Sequence, residues 1–510
     1  MRIALVPAVA LVMVSSGAAQ ENGTPRAVAD LIDAHIRRTW DKLELKPARA
    51  AADEVFLRRV TLDLTGVIPR AEEVERFARD RDTRKRERKV DELLASPAHA
   101  KYWAQLWTVT LLGWFETGVE GYSRTELRDW LEDQFAKNVS WDRTARALLS
   151  ATGRTTVNRA ANFTVRYLIE GPEAFTTRVT KTFLGVRLNC AQCHDHPFDV
   201  WKREDFYGLA SFLARTQAAY TQLRGADSYE LQDLVAGDGL QPEGFESPVP
   251  AKFLNGVAPA TKLWRQEMAV FITRYPQFAR AFVNRTWTQL LGRGIVHTPD
   301  NFSKKNKPSH PELLEELAKD FVAHGYDVRR LIRGLVTSKT YQLSSENAGF
   351  APGNEKYFVY AIVKPMNPWQ LWNSMARACG LEKDYGTEPV RFAVDREAFI
   401  AQSADSLDGD ATDAHAYTES SQNLLTKFSR DYLADAGTSG ESSLLTRLGK
   451  EKPARQVELT YLSVLGRLPS ADERKVCRQH LAAVKSDDPW TAHRDLFYAL
   501  LNSHEFNFNH

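Results

Sequence analysis

The segment GVRLNCAQCHDHPFDVWKRED, residues 185–205, holds Cys190 and Cys193 two residues apart, with His194 directly after them. This is the pattern C-x-x-C-H. Two thiols at that spacing can add to the two vinyl groups of one porphyrin, and the histidine that follows then lies under the iron as an axial ligand. The chemistry it points to is a single covalently held haem c, with Cys190 and Cys193 as attachment residues and His194 as the proximal ligand. The same residues admit other chemistry: a redox-active dithiol, a structural disulfide, or part of a metal site. A four-ligand zinc site would want a second cysteine pair, which the chain lacks. A thioredoxin-like enzyme would want a strand leading into the motif, whereas EAFTTRVTKTFLG reads as a helix stopped by Gly185. His196 follows His194 too closely for both to grip one iron from opposite faces, so it reads as a hydrogen-bonding neighbour of the site or equally as a cap on local backbone. Phe198, Trp201, Phe206 and Tyr207 can cover an apolar macrocycle or equally form ordinary core. For the second axial position the candidates are His310, in NKPSHPELL, and Met366, in VKPMNPWQL.

Compartment decides what cysteines can do. The chain opens MRIALVPAVALVMVSSGAAQ. Arg2 supplies a positive start, Ile3 to Val14 an apolar run of signal-peptide length, and Gly17 and Ala19 the small residues before a cut. Residues 1–19 are therefore expected to be a signal peptide cleaved after Ala19, and the mature protein to be periplasmic or otherwise extracytoplasmic. No later run is long enough to span a membrane. Cys379 and Cys477 are the remaining two cysteines. Four in 510 residues do not make a disulfide framework. Both read as buried thiols, with a disulfide between them permitted by export.

The elements that must position the motif are helical. AVADLIDAHIRRTW places Val28, Leu31, Ile32, Ile36 and Trp40 on one face. Pro69 stands at a first helical turn before AEEVERF, Ser123 with Glu126 and Ser309 with Glu312 read as capping boxes, and Gly325 stops the latter helix. The run RDRDTRKRERK at 79–89 reads as a solvated face. The fold class expected is mostly α: a domain over 25–215 with the motif, a Gly/Pro-rich linker over 216–262, and a C-terminal helical domain over 263–510. That last domain carries an irregular polar excursion at about 381–440. Lysines and arginines number 67 against 65 acids, and they are spread along the chain, so no nucleic-acid surface is indicated.

FLGVRLNCAQCHDHPFDVWKREDFYGLASFL resembles the secreted planctomycete cytochrome-like family, a domain of unknown function, as do FLRRVTLDLTGVIPRAEEVERF and VDELLASPAHAKYWAQLW. The second half is similar to that domain's usual partner, also uncharacterised, through FARAFVNRTWTQLLGRGIVHTPDNF, NKPSHPELLEELAKDFVAHGYDVRRLIRGLVTSKTYQLSS and ALLNSHEFNFNH. The resemblance implies a c-type haem at the C-x-x-C-H motif. Family members often carry an additional N-terminal cytochrome module, and no second C-x-x-C-H for one is expected from this sequence. The helix KYWAQLWTVTLLG departs from the commoner family form, which has a histidine and an aspartate near there.

Two functions from different classes follow. One is an exported haem protein acting in electron transfer or a haem-dependent oxidation, with an unknown redox partner or substrate. The other is a haem-free periplasmic binding or scaffold protein, in which Cys190 and Cys193 form a structural disulfide or part of a metal site. No H-E-x-x-H, P-loop or dinucleotide fingerprint stands out, so hydrolase chemistry has no positive support and enzymatic activity is left open. The motif loop is expected to face the second half, with Asn306 to His310 or Met366 nearest.

Overall fold

A computed structural model describes residues 26–114, 120–196, 199–223, 225–346, 351–380, 396–401, 444–488 and 490–510. The signal-peptide expectation and most of the 381–440 excursion lie outside the described residues. The protein is mostly α, with two small antiparallel sheets.

The helical period read from the sequence is the packing period. In the Arg26–Lys42 helix, Val28, Ile32 and Ile36 are buried and Leu31 and Trp40 half-buried. That face lies on the Pro311–Ala323 and Val328–Thr337 helices of the second half. Gly334 permits the approach: a β-carbon there would fall 2.4 Å from Val28 Cβ. At the centre, Trp107 and Trp141 of the first half meet Phe282 of the second at 5.4 and 4.7 Å between ring centroids. Phe282 in turn stacks on Phe321 at 5.0 Å. Each such pair adds about 0.5–1.5 kcal/mol beyond the area it buries. One continuous hydrophobic core therefore runs through both halves.

A buried polar knot reinforces that join. Asp63, on the Asp53–Thr65 helix, accepts hydrogen bonds from Lys364 Nζ at 2.6 Å, Asn509 Nδ2 at 2.8 Å and Tyr341 Oη at 2.8 Å. Its neighbours Arg58 and Arg59 donate to the carbonyls of Val464, Phe506, Tyr341 and Leu343. Strand Phe508–Asn509 pairs with Lys364–Pro365, which holds the C-terminus in place. Cys379 and Cys477 are both buried free thiols, and burial pushes the Cys379 thiol up to about 12.

Several local readings shift. Ser123 Oγ accepts the Glu126 N–H at 3.2 Å, as its spacing implied. In the Pro311–Ala323 helix the N-cap position falls on His310, which makes no side-chain cap bond, rather than on Ser309, because Pro311 takes the first helical position. Ser309 Oγ instead meets His310 Nδ1 at 3.0 Å. The charge run at 79–89 is not simply solvated: Lys89 is buried and paired with Glu73 and Glu92, and Lys85 and Arg86 with Asp53. Within the stretch read as a connection, Thr216–Leu223 and Ala226–Asp233 form an antiparallel hairpin, and Gly153–Arg154 adds a third strand. Arg265, at the start of the Trp264–Arg274 helix, holds Asp233 through two 2.9 Å bonds and ties the hairpin to the second half.

Candidate functional site

The chain enters the motif from the Pro172–Val179 helix, which widens into a π-turn over Thr180–Leu184 and stops at Gly185 with φ 64°. That left-handed conformation favours glycine. A β-carbon at Gly185 would also fall 2.8 Å from Phe302 Cδ2, and the Phe302 N–H donates to Gly185 O at 2.9 Å. The second half thus reaches the entrance of the motif.

Asn189–Gln192 is a single 3₁₀ turn, capped by Cys193. Side chains three apart in such a turn eclipse one another. Leu188 and Ala191 are fully buried and anchor one side; Cys190 and Cys193, also three apart, are exposed on the other. Both are free thiols. His194 is exposed, and its Nδ1 lies 2.8 Å from Asp195 O. A hydrogen bond there makes Nδ1 the protonated nitrogen and leaves the Nε2 lone pair for a ligand. Among the described residues no three or more His, Cys, Asp or Glu side chains gather where they could hold a metal ion. Cys190, Cys193 and His194 therefore offer three separate points rather than one coordination centre.

The loop is fixed by Arg203, which sequence reasoning passed over. Its Nε donates to Gln192 O at 3.2 Å, its Nη2 to Glu243 O at 2.7 Å, and its backbone N–H to Asp195 Oδ1 at 3.0 Å. The His196 N–H closes the loop onto Trp201 O at 2.8 Å. Phe206 and Tyr207 are buried core on the Arg203–Ala210 helix, Trp201 is half-buried, and Phe198 lies outside the described residues.

Opposite the entrance, Asp300 is a second missed group. It pairs with Arg187 Nη2 at 2.9 Å and Lys181 Nζ at 3.4 Å. Burial pushes its carboxyl up, but Lys181, Arg187 and Arg285 together hold it below its ordinary value. Burial pulls the Lys181 ammonium down to about 8, against the attraction of Asp300. Residues of the second half in contact here include Arg285, which donates to Lys181 O at 3.4 Å, with Pro299, Asp300 and Phe302. His310 sits elsewhere, buried against Phe358 and Tyr357 at 5.6 and 6.5 Å between ring centroids. Met366 is fully buried, with its N–H on Asn507 O.

A mostly helical chain with an exposed two-cysteine turn and a shared core is the class these features define. Residues 31–218 match the family described as PSCyt2, protein of unknown function (DUF1549), and residues 264–433 match PSD1, protein of unknown function (DUF1553). The chain therefore carries these two domains of unknown function in that order. No curated protein and no solved structure matches it.

Proposed function

We propose that this chain is an exported c-type haem protein, with Cys190 and Cys193 as the attachment residues and His194 as the iron ligand. The observation that carries this is the 3₁₀ turn, which presents both thiols on its outward side and is followed by an imidazole with Nδ1 tied and Nε2 available. Thioether attachment needs two reachable thiols on one side and iron ligation a free imidazole nitrogen, and these residues fit. When bound, the haem would supply one-electron chemistry. The chain's own contribution is to hold the three groups still: Leu188 and Ala191 root the turn, and Arg203 ties Gln192 to Glu243.

Electron transfer fits this position better than an enclosed oxidation, because thiols and imidazole lie at the surface. A second protein ligand is not part of the proposal. His310 would have to leave its place between Ser309 and Phe358, and Met366 a fully buried one. The name PSCyt2 and the signal-like residues 1–19 support the reading. The test is His194→Ala in a host that matures c-type cytochromes: haem should stay covalently bound while its visible spectrum changes. A spectrum identical to that of the parent protein would remove His194 from the iron.

A further inference from the structure

The charge around the motif is uneven. On one flank Lys202 and Arg203 stand beside Asp195, Glu204 and Asp205, two positive charges against three negative. On the other flank the segment PDNFSKKNK, residues 299–307, lies against the motif entrance through Phe302. Its acidic residue, Asp300, is turned inward onto Lys181 and Arg187. Lys304, Lys305 and Lys307 are exposed beyond it, and Arg187, three residues before Cys190, is itself nearly half exposed. The loop is held in shape. Asn306 donates its side-chain N–H to Asn301 O at 2.8 Å and its backbone N–H to Ser303 Oγ at 3.2 Å, and the Ser309 N–H reaches Ile295 O at 2.8 Å. The three ammonium groups are thus carried on a fixed scaffold.

We propose that the Lys304–Lys307 loop, together with Arg187, is the docking face for a partner protein with an acidic surface that exchanges electrons at the motif; this rests on the haem reading above. Complementary charge acts on encounter rate and orientation more than on final affinity. Three exposed lysines on a loop held by its own hydrogen bonds suit a short-lived electron-transfer encounter, which buries little surface. Three lysines on one loop are few for an extended polyanion, whose binding draws on many phosphate-like contacts.

The test uses the haem-loaded full chain and a plant-type ferredoxin as the acidic redox probe. Stopped-flow reduction of the ferric protein should slow by about tenfold or more between 10 and 300 mM salt, and by a similar factor at low salt in K304E/K305E/K307E. The control K450E/K475E/K485E changes net charge equally on exposed positions of the C-terminal segment and should stay near the parent rate. A rate insensitive to salt, or equal slowing in both variants, overturns the proposal. So does a salt-dependent affinity for heparin, lost in the lysine variant, without any effect on the ferredoxin rate. If the protein carries no haem, the redox reading fails first, and the exposed thiols then report the same field. At about 10 mM salt the anionic Ellman reagent should lose more rate than neutral 4,4′-dithiodipyridine when the lysines are reversed. An unchanged ratio overturns the basic face as well.

Discussion

Lys364→Met is the sharpest probe of how the two halves are joined. The Lys364 and Asp63 side chains are 7% and 2% exposed, and their charged atoms stand 2.6 Å apart. Lys364 Nζ also donates to Gln289 O at 3.0 Å and Leu290 O at 2.9 Å. Methionine fills the stem volume but leaves Asp63 buried with only Tyr341 and Asn509 of these three donors, and it strips both carbonyls of the ammonium. Breaking a buried pair from one side costs about 3–5 kcal/mol, because the remaining charge is uncompensated. Urea unfolding followed by tryptophan fluorescence should show this loss as one transition, since one core serves both halves. The double variant D63N/K364M removes the stranded charge and should recover part of the loss. A loss below about 1 kcal/mol, a double variant no better than the single one, or two separate transitions would refute the reasoning.

Two further outcomes follow from the same structure. Burial lowers the His99 imidazole to about 4, opposed by its bond to Leu64 O, so in the folded chain it stays neutral where the unfolded chain, near 6.5, takes up a proton. The unfolded state then holds more protons between those values; stability is full above about 6.5 and falls as the pH drops toward 4, by up to about 3 kcal/mol. His99→Gln should flatten that slope in urea midpoints taken at pH 7, 5.5 and 4.5, and an unaltered slope would exclude His99 as its source. Gly185→Ala forces a β-carbon onto Phe302 at a positive φ, so it should destabilise by more than about 1 kcal/mol and loosen the lysine loop. Faster amide exchange over 299–307 than in the parent protein is the expected readout, and unchanged exchange with unchanged stability would contradict it.

Helices and their apolar faces were legible because period and caps are local: Val28, Ile32 and Ile36 point inward as their spacing implies. So was the motif, whose chemistry resides in adjacent residues. The hairpin at 216–233 was not, because TQAAYTQL and ADSYELQD are polar strands with little apolar alternation, although Leu231 is fully buried. The cap at 309–310 turned on one proline. The Asp63 knot escaped because its partners stand 278, 301 and 446 residues away. Asp300 and the lysine loop escaped for the same reason: SKKNK is visible as a run, but only the contacts of Phe302 with Gly185 and of Asp300 with Arg187 bring it to the entrance of the motif. His310 and Met366 have ligand-type side chains, and their burial is a property of packing.

The central claim is that Cys190 and Cys193 carry a haem. Export the full chain from a host with c-type maturation machinery and measure its intact mass under denaturing conditions, beside the C190A/C193A variant. The account predicts a mass increased by one haem in the parent, with haem staining that survives denaturation, and neither in the variant. A parent mass equal to that of the bare chain, or lower by only the two hydrogens of a Cys190–Cys193 disulfide, would contradict it.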